Sequence, residues 1–246
     1  MTRIVYKAAI DGDPAKARRI WVLDLASGTV TPPAETGTST TSPPASTTAP
    51  SPTPNHPPRC PRLPDMKAAL LIVDLQDMLV PLVWRGEELA ARIAALARRA
   101  RAAGVPVIAL RQIGAPGTDF DPASPATRVS ALLGLEPVDV VVDKTATDSF
   151  YRTGLAGLLV DRGVDTVVLT GLATDYCVDA TARSAQSHGL DVVLVGDGHA
   201  PSADGDPTTG LTAEQVIARH NLLLSTAIHP GGRLRVVPSA EVEFTG

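Results

Sequence analysis

The chain has 246 residues, enough for one domain with a sizeable core and room for a second small one. Its 22 Lys and Arg against 26 Asp and Glu leave a formal net charge of −4, so no broad basic field exists to attract nucleic acid or an anionic membrane. Two cysteines make no disulfide framework and no apolar run is long enough to cross a bilayer, so the expectation is a soluble, cytoplasmic protein that acts on small molecules.

Residues 1–28 contain one strand-like run, "RIWVLDL", fit for a short hairpin or a remnant without a core of its own. From Thr29 to Asp65 roughly two-thirds of positions are Pro, Ser or Thr, a composition that cannot bury enough apolar area to offset its ordering entropy. A disordered or polyproline-like linker is expected there, holding Cys60. At Met66 the pattern switches abruptly, and we read this residue as the natural start or the true domain boundary of a unit running to residue 246.

Beyond Met66, "AALLIVDL" is a short, continuously apolar run, the pattern of a strand covered on both faces. "GEELAARIAALARRARAAG" has helical spacing and a terminal Gly that can end it. Then follow "VPVIAL", an irregular stretch from Gly114 to Thr127, "VDVVVDK", helix-like "RTGLAGLLVDRG", "DTVVLTG", helix-like "TDYCVDATARSAQSHG", "LDVVLVGD", helix-like "TAEQVIARHNLLLSTA" and "LRVVP". Strands alternating with helices over this length predict an α/β fold: a doubly wound, mostly parallel sheet of five or six strands with helices on both faces. Ligands bind such sheets outside the carboxyl ends of the strands, so the residues there are candidates.

Three chemically useful residues fall at those ends. Asp74 ends the first strand of the unit, Lys144 follows the third, and Cys177 lies just beyond the fourth, at the start of a helix. A thiol at a helix N-terminus is easier to ionise, a carboxylate can take its proton, and an ammonium offsets the resulting charge. Each residue also has an ordinary alternative: Cys177 as packing, Asp74 as a turn cap, Lys144 as a solvated loop residue. Their joint placement favours the chemical reading.

The segments "LLIVDLQ", "DKTATDSFYRTGL" and "GLATDYCVDATARSA" resemble the three signature segments of the isochorismatase-like cysteine hydrolases, the group that contains nicotinamidases and N-carbamoylsarcosine amidohydrolases. The resemblance covers residues 66–238. It implies Cys177 as nucleophile, Asp74 as general base and acid, Lys144 as the positioning cation, a cis peptide at Leu172–Ala173, and an oxyanion hole from the backbone N–H groups of Ala173 and Cys177. Gly171 would lend the turn freedom, and Thr174 or Asp175 would cap the helix. The implied reaction is hydrolysis of a C–N bond in a small amide, lactam or carbamoyl substrate, since isochorismatases of this fold can lack the cysteine. A homo-oligomer is implied as well.

The sequence departs from the nicotinamidase pattern in one respect. Those enzymes carry Asp-x-His and a further His after the second strand to bind a metal, whereas "ALRQIGAPGTDFDPASPATRV" has no histidine. Asp119 and Asp121 remain as hard-cation candidates, but no metal or other cofactor is expected. The chain looks more similar to the metal-independent members that include streptothricin hydrolase. Trp84, Phe150 and Tyr176, near the three candidates in sequence, are proposed pocket walls, and His199 in "GDGHA" is placed at the pocket mouth or in a local pairing. His188 and His220 read as caps or satisfied polar groups. Substrate selectivity is expected in the loops 76–86, 111–128 and 198–212. Competing readings are a nicotinamidase or isochorismatase, a receiver-like module, which wants an acceptor Asp where Lys144 stands, and an inactive scaffold of the same fold.

Overall fold

A computed structural model describes residues 67–206 and 208–244, together with the backbone of three short strands nearer the N-terminus. The chain divides into two compact units, Met1–Pro57 and Pro58–Gly246. In the first, β1 (Arg3–Ala8), β2 (Arg19–Asp24) and β3 (Thr29–Thr31) form an antiparallel sheet in the order β1-β2-β3. The run read as a hairpin strand is β2. The Thr-Val-Thr of β3 lies inside the stretch expected to lack structure and pairs with β2. The rest of the expected linker, Cys60 included, lies outside the described residues.

The second unit is built on a six-stranded, all-parallel sheet. Its strands are β4 (Ala68–Val73), β5 (Val107–Gln112), β6 (Val140–Lys144), β7 (Thr166–Leu172), β8 (Asp191–Ala200) and, after the two-residue strands β9 (Gly205–Asp206) and β10 (Leu211–Thr212), β11 (Leu234–Val237). The spatial order is β11-β8-β7-β4-β5-β6. The helices are α1 (Gly86–Ala102), α2 (Leu155–Asp161), α3 (Asp179–Ser187) and α4 (Ala213–Thr226). This is the doubly wound architecture that the alternating pattern predicts.

Successive strand residues point to opposite faces, so β4 feeds two cores at once. Leu70 and Ile72 pack with Leu89, Ile93 and Leu96 of α1, while Ala69, Leu71 and Val73 pack with Leu155 and Leu159 of α2, Ala182 and Ala185 of α3, and Leu224 of α4. Both central strands, β4 and β7, are buried along their whole length, which explains their uninterrupted apolar sequence. Helix α1 has Glu87 and Glu88 in its first turn and Arg99 and Arg101 in its last, matching the helix dipole at each end. Gly104, at φ 70°, ends that run, and α4 opens on a capping box between Thr212 and Gln215.

The topology fixes where a ligand can sit. From β4 the chain winds outward through β5 to β6, then returns to the other side of β4 as β7. The switch point therefore lies between the carboxyl ends of β4 and β7, where the helices diverge and leave a crevice. Asp74 follows β4 and Cys177 follows β7.

At this point the backbone of β7 turns its Cα hydrogens toward β4. Gly171 has φ 122°, and a Cβ there would lie 2.1 Å from the Val73 carbonyl oxygen and 2.5 Å from its nitrogen. Only glycine fits both the backbone and the space. The next peptide, Leu172–Ala173, is cis, as the family resemblance implies. We expect Gly171→Ala to lower stability by more than ~1 kcal/mol, read as a reduced urea midpoint at unchanged slope; a midpoint within error of the wild type would contradict the contact.

Candidate active site

Asp74, Lys144 and Cys177, remote in sequence, meet at the switch point. Lys144 ends the edge strand β6, two strands from Asp74, and its stem crosses the end of β5 fully buried. Its ammonium lies 2.8 Å from Asp74 Oδ2 and 3.4 Å from Cys177 Sγ. It also donates to Gln112 Oε1 at 2.8 Å and to the Ala146 carbonyl at 3.0 Å. Three N–H donors thus serve three oxygens, with the sulfur as a fourth, longer neighbour.

Asp74 sits at φ 51°, a left-handed conformation that Asp tolerates better than most residues. The turn leaves its side chain 96% buried, with Oδ2 on Lys144 and Oδ1 without a hydrogen-bond partner. Burial pushes the Asp74 carboxyl above its ordinary range, and Lys144 opposes that rise. The Cys177 thiol is pushed up to about 12, first by burial and then by the charge of Asp74, with Lys144 pulling the other way.

This corrects the expectation of a thiol already disposed to ionise. Cys177 does not open an α-helix: it lies in a π-helical turn, Thr174–Val178, and α3 starts only at Asp179. Neither Thr174 nor Asp175 caps the turn through its side chain. Burial and the charge of Asp74 favour the neutral thiol at Cys177.

A cavity of about 400 Å³ opens over these residues. Asp74, Gln112, Ala173 and Cys177 form its floor, and Tyr176 stands at its edge, 59% exposed. Leu79, Leu82 and Val83 come from the loop after β4, Phe120 from the loop after β5, and Ser202 from the end of β8. These are the three loops expected to carry selectivity.

Residues 68–218 match the model of the isochorismatase domain. The chain belongs to the isochorismatase family. It is 39% identical over 145 residues to a streptothricin hydrolase of Streptomyces noursei, a match covering 56% of this chain and 57% of the relative. A second streptothricin hydrolase of that organism is covered over 49% of its length, so the chain spans about half of these curated relatives. Among solved structures, an isochorismatase of Pseudomonas putida KT2440 superposes with a TM-score of 0.64 at 28% identity, covering 72% of this chain and 90% of that one. A cysteine hydrolase of Pseudomonas syringae pv. phaseolicola gives 0.63 at 25% identity, covering 71% and 90%.

Three of the other residues singled out in the sequence lie elsewhere in this isochorismatase domain. Phe150 is buried in the core and stacks on His188 at 4.5 Å between ring centroids, so it is packing and not a wall of the Cys177 cavity. Trp84 and His199 line a separate cavity of about 300 Å³ bordered by α1, the end of β8 and α4. His188 and His220 each pair with the carbonyl four residues earlier, as satisfied helix polar groups do. Asp121 spends both oxygens on the N–H groups of Gly117 and Ala123 in its own loop, and among the described residues no three His, Cys, Asp or Glu gather as a metal site.

His199 supports the turn that carries Cys177 from behind. A register shift between β7 and β8 sets it opposite Gly171. Asn221 of α4 donates to the Gly196 carbonyl at 3.0 Å, which points its oxygen at His199 Nε2, also 3.0 Å away. Nε2 must then carry the proton, leaving Nδ1 to accept from the Thr174 hydroxyl at 2.8 Å. Sequence reasoning missed Gln112, Asn221 and Gln76. Gln76 is fully buried and binds Gln112 through its backbone N–H and C=O and the Thr127 carbonyl, tying the loop after β5 to the site. Gln76 stood within the quoted "LLIVDLQ"; for the other two, single polar residues in a strand and a helix, no signal existed.

Two measurements follow from these environments. With its thiol near 12, Cys177 in the ligand-free protein should react with iodoacetamide at pH 7 more slowly than a free cysteine, accelerating as pH rises toward 12; rapid labelling at pH 7 would show a preformed thiolate. Burial lowers His199 from 6.5 to about 4, with the neighbouring His220 adding to the fall and Asn221 and Asp197 opposing it. A depressed histidine contributes stability that is full above pH 6.5 and is lost as pH falls through 4. The stability gap between wild type and His199→Gln should therefore narrow by ~3 kcal/mol from pH 7 to pH 4 in urea titrations, and a pH-independent gap would contradict the assignment.

Proposed function

We propose that this isochorismatase-family protein is a cysteine hydrolase that cleaves a C–N bond of a small amide, lactam or carbamoyl compound through a thioester on Cys177. The carrying observation is the buried Lys144 ammonium held between Asp74 Oδ2, at 2.8 Å, and Cys177 Sγ, at 3.4 Å, behind an open cavity that Asp74 and Cys177 line. A nucleophile, a base and a charge-balancing cation are thereby within reach of one substrate carbonyl.

The chemistry runs on this chain's own groups. As the substrate enters and displaces water, the thiol proton passes to Asp74, whose raised affinity for protons suits a base, and Lys144 faces the thiolate so formed. Sγ bonds to the carbonyl carbon, and the carbonyl electron pair moves to oxygen. Ala173 and Cys177 both border the cavity, and their backbone N–H groups are the proposed donors to that oxyanion. The C–N bond breaks as Asp74 protonates the departing nitrogen. Asp74 then takes a proton from water while the hydroxyl attacks the thioester, and it returns that proton to the leaving sulfur.

Proton transfer leaves the net charge of the three groups unchanged, which is why it is feasible in so buried a site. Cys177→Ala should fold and lose turnover completely, and Asp74→Asn should lower kcat about a hundredfold or more. A panel of amides that includes nicotinamide, with intact-protein mass spectrometry for the acyl adduct, provides the readout; undiminished turnover in Cys177→Ala refutes the nucleophile.

A further inference from the structure

We propose that the Cys177 cavity selects amides whose acyl side is uncharged and apolar, branched aliphatic or aryl, and rejects those that carry a carboxylate there. The inference rests on the reading of Cys177 as the acylated nucleophile and goes on to name what is acylated.

The walls above the nucleophile are apolar: Leu79, Leu82, Val83, Phe120, Leu172 and Tyr176. Besides Asp74 and Cys177, the polar lining side chains are neutral hydroxyls and Gln112, whose carbonyl oxygen already accepts from Lys144 and whose amide nitrogen donates to the Ile113 carbonyl. Asp74 is the single charged residue among those lining the cavity. The nearest ammonium, on Lys144, has its three N–H groups committed to three oxygens. Arg111, at the end of β5, is spent in a two-point pair with Asp143 at 2.6 and 2.7 Å.

A substrate carboxylate would therefore leave water for a site with no free cation and with Asp74 of like sign, a repulsive element that discriminates by itself. An apolar body meets the reverse situation. Leu82 is 60% exposed and Tyr176 59% exposed although both border a concave site, so a bound acyl group would remove that surface from water. The volume, about 400 Å³, falls at the lower end of the ~300–1,000 Å³ common to ligand pockets and suits a small acyl group.

Isovaleramide and succinamate are amides of nearly equal size that differ in the carboxylate, and calorimetric titration of each into full-length Cys177→Ala separates binding from chemistry. We expect isovaleramide to bind at least ~tenfold more tightly, and Leu82→Arg in the same background to reverse the order, since Leu82 is exposed and the substitution supplies the missing cation. Equal affinities, tighter succinamate, or no measurable isovaleramide binding overturns the proposal. Mass spectrometry of the wild-type protein with each amide tests the underlying reading separately. An adduct on Cys177 from succinamate alone keeps the nucleophile and refutes the selectivity, whereas the binding preference without any adduct refutes the nucleophile and keeps the selectivity.

Discussion

The site depends on one ion pair, Lys144 with Asp74, made across the end of an intervening strand and almost wholly buried. Stability is a poor reason for it: desolvating two charges costs as much as their attraction returns, and an apolar pair of equal volume would often serve better. Removing one partner alone would strand the other charge and cost about 3–5 kcal/mol. The fold meets the pair's needs with polar groups: Gln112 and the Ala146 carbonyl complete the ammonium's shell, and Gln76 fixes Gln112 in turn. A row of polar residues, Asp74, Gln76, Gln112 and Lys144, therefore runs along the carboxyl edge of β4, β5 and β6.

That pair governs the thiol in two opposing ways. Asp74 raises the proton affinity of Cys177 and Lys144 lowers it, and with burial the balance favours the neutral thiol, near 12. The protein is thus not built like a thiolate–imidazolium site, in which the charged nucleophile exists before substrate arrives. On the proposed mechanism, one proton passes from Cys177 to Asp74 beside a fixed cation, so the reactive form arises only as that proton moves. Asp74 Oδ1, buried and without a hydrogen-bond partner, leaves an acceptor open for the proposed transfer.

The fold was legible because its signal is periodic. Continuous apolar runs such as "AALLIVDL" and "DTVVLTG" separated by helical spacing permit little but a parallel sheet, and the three reactive residues stand where such a sheet binds ligands. The cavity was legible only in part. Tyr176 borders it, but Phe150 is turned into the core and Trp84 and His199 face a second cavity, because proximity in sequence does not fix the side of a turn on which a side chain emerges. The thiol's environment could not be read at all. A helical pattern does not reveal that its first turn is π-wound, and burial and the opposing charge of Asp74 are tertiary facts.

The Cys177 turn is held from both sides, and the two supports differ in kind. In front, Gly171 lets β7 close against Val73, a steric constraint that tolerates no side chain. Behind, Thr174, His199 and Asn221 form a directional chain in which each donor has one acceptor, anchored on the Gly196 carbonyl. The register shift that delivers His199 also requires Gly198, whose Cβ would lie 2.7 Å from Val195 Cγ1. The "GDG" before His199 is thus the backbone of that shift, with Asp197 tying it to the C-terminal segment through Ser239 at 2.7 Å. The geometry at Cys177 then follows from packing outside the cavity: contact sets how near the turn can come to Asp74, and hydrogen bonds set how it is rotated.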